Sequence, residues 1–140
     1  MSTGALLISL ASPAAEVLNT EARKVTVETK MGQITILPSH VPFVAWLGAG
    51  PIVVETSAGQ STEIFVAGGF VEVFANQVKV LADAIELAKE IDESRARAAL
   101  ARATERLKGA VDVSVDMDRA VDSSQRAQAR LDFKTCSRTT

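Results

Sequence analysis

The chain is poor in the side chains on which metal centres and disulfide frameworks depend. Its 140 residues include one cysteine, one histidine, one tryptophan and no tyrosine. Because a single cysteine cannot close an internal disulfide, we expect a reducing compartment, with Cys136 as a surface thiol. His40 and Cys136 together supply too few ligands for a metal site at any standard spacing.

An excess of positive charge is also missing. The chain carries 15 basic and 17 acidic residues, which gives a formal net charge of −2. A strongly basic surface is the usual mark of a protein that binds nucleic acid. We therefore expect no nucleic acid among the partners.

Long apolar runs are absent as well. No stretch approaches the roughly 20 apolar residues that a membrane-spanning helix needs. The segment Met1–Leu10 contains no lysine or arginine, unlike the basic start of a signal peptide. We expect an unprocessed cytoplasmic protein with no direct membrane insertion, whose association with a membrane would run through a partner.

Common catalytic motifs are missing too. The sequence has neither the Gly-x-x-x-x-Gly-Lys phosphate loop nor the Gly-x-Ser-x-Gly elbow. Ser39 and His40 could serve as the nucleophile and base of a hydrolase. Their loop offers no evident carboxylate to orient the imidazole, so we favour the interpretation of His40 as a surface or partner-contact residue.

What the sequence does contain is a change of period near residue 83. From Val25 to Leu81, β-branched and aromatic residues alternate with polar ones or form short runs between turn residues, which is typical of β-strands. Ser57–Gln60 and Ala75–Gln77 have the composition of hairpin turns. The short, regular spacing of the turns favours a closed sandwich or barrel over a parallel sheet. Four strand residues are predicted to lie in the core: Val54, Phe65, Val71 and Val73.

Beyond Asp83 the apolar period becomes helical. A first helix is expected, with Asp92 as its N-cap and Gly109 as its stop. Its apolar stripe consists of Ala96, Ala99, Leu100, Ala103 and Leu107.

A second helix follows, with a weaker apolar stripe. It is expected to begin after Asp116 or Asp118. Ser123 and Ser124 stand where a better-packed helix would carry alanine or leucine. The two helices, joined by Gly109–Val115, predict an antiparallel hairpin that docks marginally and can detach. The stripe of the second helix consists of Ala120, Val121, Ala127 and Leu131.

Four short motifs occur in a fixed order along the chain. They are Leu37-Pro38-Ser39-His40-Val41-Pro42, Gly68-Gly69-Phe70-Val71-Glu72-Val73, Val80-Leu81-Ala82-Asp83 and Ile91-Asp92-x-x-Arg95-Ala96. Each is weak alone. Their order and spacing, over a region from Leu6 to Leu131, resemble the epsilon subunit of the F-type ATP synthase in its bacterial form. A mitochondrial homologue of that subunit is an alternative, which the unprocessed-looking start and the arginine-rich hairpin disfavour.

The resemblance implies a fold and a role. The fold would be α+β, with an N-terminal ten-stranded β-sandwich over residues 1–86 and a C-terminal antiparallel two-helix hairpin over residues 87–140. The sandwich would bind the gamma subunit and the c-subunit ring. The hairpin would be regulatory and would reach the alpha and beta subunits of the catalytic head when it extends. The protein would then be a noncatalytic central-stalk subunit that couples proton-driven rotation to ATP synthesis and restrains ATP hydrolysis. It would lie peripherally on the cytoplasmic face of the bacterial plasma membrane.

The resemblance also implies two groups of site residues. A contact with the c ring falls on Gly32, Gln33, Ser39 and His40. In this chain Gln33 stands where an acidic residue is common, and Ser39 stands where glycine is usual. No cofactor is required, but ATP is expected as a regulatory ligand of the hairpin. The residues implied for ATP are Glu86, Ile91, Asp92, Arg95, Ala96, Arg102, Arg126 and Arg130.

The arginines supply the chemistry expected of that ATP site. The two on the first helix are seven residues apart and the two on the second are four apart, so each pair lies on one face. Bringing the two faces together would concentrate hydrogen-bond donors for a triphosphate. One alternative is a solvated face paired with Glu93, Glu105 and Asp122. Another is a stand-alone ATP-sensing module of β-sandwich and helical hairpin that needs no partner.

Overall fold

The chain folds into a β unit followed by a helical unit. The computed structural model describes residues 4–87, 91–108 and 117–137. The chain forms two compact units, Met1–Glu86 and Leu87–Thr140. The strands of the first unit are β1 (Leu6–Ala11), β2 (Glu16–Ala22), β3 (Lys24–Thr29), β4 (Gly32–Ile36), β5 (Phe43–Trp46), β6 (Ala49–Glu55), β7 (Ser61–Ala67), β8 (Phe70–Phe74), β9 (Gln77–Leu81) and β10 (Ala84–Glu86).

The ten strands form two five-stranded sheets. Sheet A has the strand order β2-β1-β9-β8-β5, and sheet B has the order β10-β7-β6-β3-β4. Neighbouring strands are antiparallel except β1 and β9, which run parallel with Leu7 opposite Gln77. The predicted ten-stranded sandwich is confirmed. The parallel pair was not predicted, because partners so distant in the sequence leave no local pattern.

Alternate side chains of both sheets point into the core. In β1 every second residue, Leu6, Ile8 and Leu10, is fully buried. In β3 Val25 and Val27 repeat the pattern. Burying a side chain of this size contributes roughly 1.5–3 kcal/mol. The core prediction is confirmed, since at most 1% of the surface is exposed at Val54, Phe65, Val71 and Val73.

Two tight turns have the chemistry that the sequence predicted. β8 and β9 are joined by Ala75 and Asn76 alone, with φ angles of 49° and 62°. Positive φ at both central residues is the mark of a type I′ turn, and asparagine tolerates it better than most residues. The β6–β7 turn closes where the Thr56 N–H donates to the Gln60 carbonyl (2.9 Å), with Gly59 at a φ of 82°.

The loops of the sandwich lie at two ends, which we name after His40 and Met31. The histidine end comprises residues 37–42 and 75–76. The methionine end comprises residues 30–31, 47–48 and 68–69. At the histidine end the Ser39 N–H donates to Asn76 Oδ1 (2.6 Å), and at the methionine end the Lys30 N–H donates to the Trp46 carbonyl (3.0 Å). β4 begins at the methionine end and finishes at the histidine end, so its own length of about 13 Å separates them.

The second unit is a hairpin of two helices, α1 (Glu93–Lys108) and α2 (Met117–Ser137). α1 begins as predicted, because Asp92 Oδ1 accepts the Arg95 N–H (3.1 Å) and so caps the helix. The Lys134 ammonium, near the end of α2, donates to the carbonyl of Ile91, just before α1 (2.6 Å). The helices therefore run in opposite directions, as predicted. Neither helix, in its described residues, is long and apolar enough to cross a membrane.

Small residues form the interface between the helices. Ala96 and Ala103 of α1 and Ala120 and Ala127 of α2 are at most 5% exposed. The rest of the predicted α1 stripe is half-buried. Alanine allows the helices to approach closely but buries little apolar area, so the packing stabilises the hairpin only modestly. The predicted link 109–115 and the side chain of Cys136 lie outside the described residues.

The predicted stripe of α2 needs a correction. Val121 is 38% exposed, because it follows the buried Ala120 by one residue and so points about 100° away from it. Phe133, which the sequence analysis did not single out, is buried with 5% exposure. Ser123 and Ser124 are half-buried.

Gly69 is predicted to tolerate no side chain. Its φ is 100°, and a Cβ atom there would overlap the Leu81 carbonyl oxygen and lie 2.7 Å from Ala82 Cα. Because backbone cannot move aside as a flexible side chain can, we expect Gly69→Ala to lower the free energy of unfolding by more than about 2 kcal/mol. Urea titration of the full chain measures this. Gly59→Ala is the matched control, since Gly59 has a φ of 82° with open space around it, and it should cost about 1 kcal/mol. Equal losses would contradict the steric argument.

Lys134 is predicted to hold the hairpin closed. Lys134→Met keeps a long apolar side chain but removes the donor to the Ile91 carbonyl. We expect the hairpin to lose about 1 kcal/mol of local stability, measured as faster amide hydrogen exchange in both helices with the strands unchanged. Arg97→Met is the matched control, because Arg97 is exposed and the two residues have similar helix propensity. Exchange at the wild-type rate in Lys134→Met would show that this bond contributes nothing.

Candidate functional site

The outer face of sheet A is apolar and open. Trp46, Phe70 and Leu81 lie in register across β5, β8 and β9. Trp46 meets Phe70 edge-on, with ring centroids 6.2 Å apart and an interplanar angle of 80°. Contiguous exposed apolar surface marks interaction sites far more than scattered residues do. We call this surface the apolar face; its large side chains are 47% to 68% exposed at Leu7, Val44, Trp46, Phe74 and Leu81.

Charged residues are few on the apolar face, and Glu21 of β2 lies opposite Leu7 at its edge. Glu72 and Lys79 lie opposite each other in β8 and β9. A shallow cavity of about 240 Å³ opens beside them, lined by Pro42, Phe43, Val44, Glu72, Val73 and Phe74. An apolar centre with a few polar groups suits a protein partner. The sequence analysis assigned no contact role to a residue of this face, although Val44 and Trp46 occupy the outward positions of β5, where an exposed sheet normally carries polar side chains.

The histidine end holds His40 in a fixed turn. The His40 N–H donates to the Leu37 carbonyl (3.1 Å), and His40 Nδ1 lies 2.8 Å from the Val41 carbonyl oxygen. The imidazole packs against the Phe43 ring, with centroids 5.1 Å apart. Among residues 4–87, 91–108 and 117–137, no carboxylate hydrogen-bonds to this ring and no cluster could hold a metal ion. The geometry therefore lacks the orienting acid that the hydrolase hypothesis needs.

The methionine end presents Met31 at the tip of a braced turn. Met31 is 99% exposed. Beneath it, the buried Thr29 hydroxyl donates to the Gly32 carbonyl (2.6 Å) and accepts the Met31 N–H (3.2 Å). With the backbone bond from Lys30 to Trp46, these contacts fix the turn before any partner arrives.

The four residues predicted to meet the c ring lie in two pairs at opposite ends of β4. Gly32 and Gln33 lie at the methionine end, where β4 begins. Ser39 and His40 lie at the histidine end, beyond the other end of the same strand. Their closeness in the sequence grouped them, but the strand between them keeps the two pairs apart. A partner that meets only one end of the sandwich would therefore contact one pair and not the other.

The hairpin turns the four predicted arginines to one side. Arg95 and Arg102 each directly precede a buried alanine of α1, and Arg126 directly precedes the buried Ala127 of α2. Antiparallel helices are related by a two-fold axis perpendicular to the plane that contains them. Residues that directly precede the interface alanines therefore point to the same side of that plane on both helices. Arg130, three residues after Ala127, lies on that side as well. We call this side of the hairpin the arginine side.

Three guanidinium groups of the arginine side are accessible. Arg95, Arg102 and Arg126 are exposed. In the part of the chain that the structure describes, these three make no ion pair with a carboxylate. The alternative of a face neutralised by helix carboxylates is therefore not observed for them. Arg97 follows the buried Ala96 by one residue and points to the opposite side.

The other residues predicted for ATP differ in what they can offer. The side chains of Ile91 and Ala96 are at most 5% exposed, so a ligand would meet their backbone or apolar atoms. Asp92 is exposed but uses one carboxylate oxygen to cap α1. Glu86 belongs to the first unit, where it ends β10.

Two ion pairs of the sandwich share Glu55. Its carboxylate lies 2.7 Å from the Lys24 ammonium and 3.1 Å from the Arg23 guanidinium. The hydrogen bond from Lys24, and then that from Arg23, lowers the pKa of Glu55 below its ordinary value. These pairs join the start of β3 to the end of β6 on the surface and take no part in the apolar face.

Comparisons with known proteins agree with the two units. The family model described as ATP synthase, Delta/Epsilon chain, beta-sandwich domain matches residues 5–88, and that described as the long alpha-helix domain matches residues 89–134. The ATP synthase epsilon chain of Halalkalibacterium halodurans is 41% identical over 128 residues, which cover 91% of this chain and 95% of the relative. The ATP synthase epsilon chain of Solibacter usitatus is 39% identical over 127 residues, covering 90% and 92%.

A solved structure shares the fold. A chain in the Euglena gracilis mitochondrial ATP synthase, determined with OSCP, F1 and the c-ring in rotational state 1, superposes with a TM-score of 0.79. The match covers 90% of this chain and 79% of that chain at 20% sequence identity. At this identity the likeness concerns the fold.

Proposed function

The chain belongs to the delta/epsilon chain family of ATP synthases, and we propose that it acts there as a noncatalytic subunit of the central stalk. In this role it passes proton-driven rotation to the catalytic head and takes no chemical step itself. The observation that carries the proposal is the apolar face of sheet A, because a surface of this kind is built to be covered by another protein.

The gamma subunit is the partner proposed for the apolar face. Trp46, Phe74 and Leu81 give it large side chains, and aromatic residues dominate the binding energy of most interfaces. Glu72 and Lys79 add one charge of each sign, which can fix the register of the partner. β5, at the edge of sheet A, contributes Trp46, the largest of these anchors.

The c ring is proposed to meet the methionine end. If the gamma subunit covers the apolar face, the braced turn at Met31, with Gly32 and Gln33 beside it, is free to contact a second partner. Ser39 and His40, at the other end of β4, then extend the gamma-binding surface rather than the ring contact. Attachment to the membrane would be peripheral, through the ring and on the cytoplasmic side.

The hairpin is proposed to regulate the complex with ATP as its ligand. Arg95 and Arg102 on α1 and Arg126 on α2 offer guanidinium groups without a carboxylate partner among the described residues, so a triphosphate can bridge α1 and α2 and stabilise the closed hairpin. The small alanine interface leaves the closed state only modestly stable, and the opened helices can reach the alpha and beta subunits and restrain ATP hydrolysis. The same arginines would also serve a stand-alone ATP sensor, which differs in needing no gamma subunit.

Docking of the gamma subunit is predicted to bury Trp46. Because Trp46 is the one tryptophan of the chain and is 68% exposed, its fluorescence should shift to shorter wavelength when purified gamma subunit is added. Co-elution of the two in gel filtration at one-to-one stoichiometry is expected. Trp46→Glu should weaken binding at least about tenfold in calorimetry.

The control for this experiment is Ala58→Glu, which adds the same charge at the exposed β6–β7 turn and should bind as the unmodified chain does. Binding without a fluorescence shift would place the gamma subunit on another surface. If correctly folded gamma fails to co-elute at all, the stalk role is wrong and the stand-alone sensor becomes the better explanation.

ATP is predicted to stabilise the full chain through the arginine side. At a free concentration a hundredfold above the dissociation constant, a ligand contributes about 2.7 kcal/mol, which raises the melting temperature. Arg95→Ala combined with Arg126→Ala should abolish this rise. Arg97→Ala is the matched control, because it removes a guanidinium from the opposite side of the same helix and should leave the rise intact. No rise in the unmodified chain would end the ATP proposal and leave the docking role untouched.

A further inference from the structure

Asn76 joins three separate segments at the histidine end. Its side-chain Oδ1 accepts the Ser39 N–H (2.6 Å), and its backbone carbonyl accepts the Leu7 N–H (2.8 Å). Its own backbone, with a φ of 62°, completes the type I′ turn between β8 and β9. One residue thus ties the start of β1 and the loop 37–42 to the end of the apolar face.

The loop 37–42 needs such a tie because its own conformation is unfavourable. Ser39 has a φ of 66°, in the left-handed region that a residue with a Cβ atom enters at a cost. Within the loop, the bond from the His40 N–H to the Leu37 carbonyl (3.1 Å) closes a single turn. The bond from the Ser39 N–H to Asn76 fixes this turn against the sandwich.

The loop carries side chains that continue the apolar face. Val41 is 69% exposed, and Phe74, just before the Ala75–Asn76 turn, is 62% exposed. Pro42 and Phe74 line the same shallow cavity. The loop and the end of β8 therefore border one surface, provided that the loop keeps its place.

We propose that Asn76 is a positioning residue that holds the loop 37–42 in its binding conformation, so that Val41 and His40 extend the apolar face toward the partner. The inference rests on the proposed docking of the gamma subunit at that face. A loop fixed in advance loses less conformational entropy on binding. Asn76 therefore raises affinity without needing to touch the partner.

Two substitutions at position 76 isolate the side-chain bond. Asn76→Gly removes the acceptor while keeping a residue that adopts positive φ freely. Asn76→Asp retains an oxygen at the same place and also tolerates this region. In the full chain, Asn76→Gly should speed hydrogen exchange of the Ser39 amide, while the melting temperature changes by only a few degrees, as the loss of one exposed hydrogen bond allows.

Affinity for the gamma subunit is the second readout. Asn76→Gly should weaken binding roughly three- to tenfold, the equivalent of one hydrogen bond, and Asn76→Asp should bind within about twofold of the unmodified chain. Ala58→Gly is the control: it also introduces a glycine into an exposed hairpin turn, but outside the loop 37–42 and the apolar face, so it should bind normally.

Two affinity results would overturn the proposal: unchanged affinity in Asn76→Gly, or equal losses in the glycine and aspartate variants. Failure of the docking proposal is distinguishable, because the unmodified chain would then not bind gamma. The exchange rate of the Ser39 amide would still report in that case whether Asn76 holds the loop; an unchanged rate in Asn76→Gly would refute the positioning role by itself.

Discussion

The contact between two crossing backbone segments is the constraint on which the sandwich depends. The chain passes from sheet B to sheet A at Gly68–Gly69 and returns at Ala82–Asp83, and the two crossings touch. A Cβ atom on Gly69 would overlap the Leu81 carbonyl, and one on Gly68 would overlap the Asp83 carboxylate. Both glycines have positive φ. Two of the motifs that carry the resemblance to the epsilon subunit meet here, so their shared sequence reflects close packing of backbone rather than chemistry.

Local patterns were sufficient for most of the strands and turns. The alternation of apolar and polar residues predicted that Val71 and Val73 are buried, and Ala75-Asn76 predicted a two-residue turn. Both signals depend only on neighbours in the sequence. The pairing of β1 with β9 left no such signal. The same limit applies to the residues predicted to contact the c ring: they are close in the sequence, but the strand β4 lies between the two pairs.

The hairpin shows a different limit. The alanine and arginine spacings were visible in the sequence, but the side to which each arginine row points depends on the direction and register of the partner helix. The bond from Lys134 to the Ile91 carbonyl fixes this direction and register, and no local pattern in the sequence predicted that bond. Val121 was misplaced for a simpler reason. An apolar residue beside a buried one is not itself on the interface when the helix turns by about 100° per residue.

The position of β1 has a mechanical consequence. β1 lies between β2 and β9 in sheet A, with ladder bonds along both of its edges. A force along this strand would load the bonds of both ladders in shear, all together rather than one after another. A rotating stalk transmits torque only if its strands do not slide past one another. The parallel pairing thus makes the N-terminal strand, which in many folds is the first to fray, one of the stiffer parts of the sandwich.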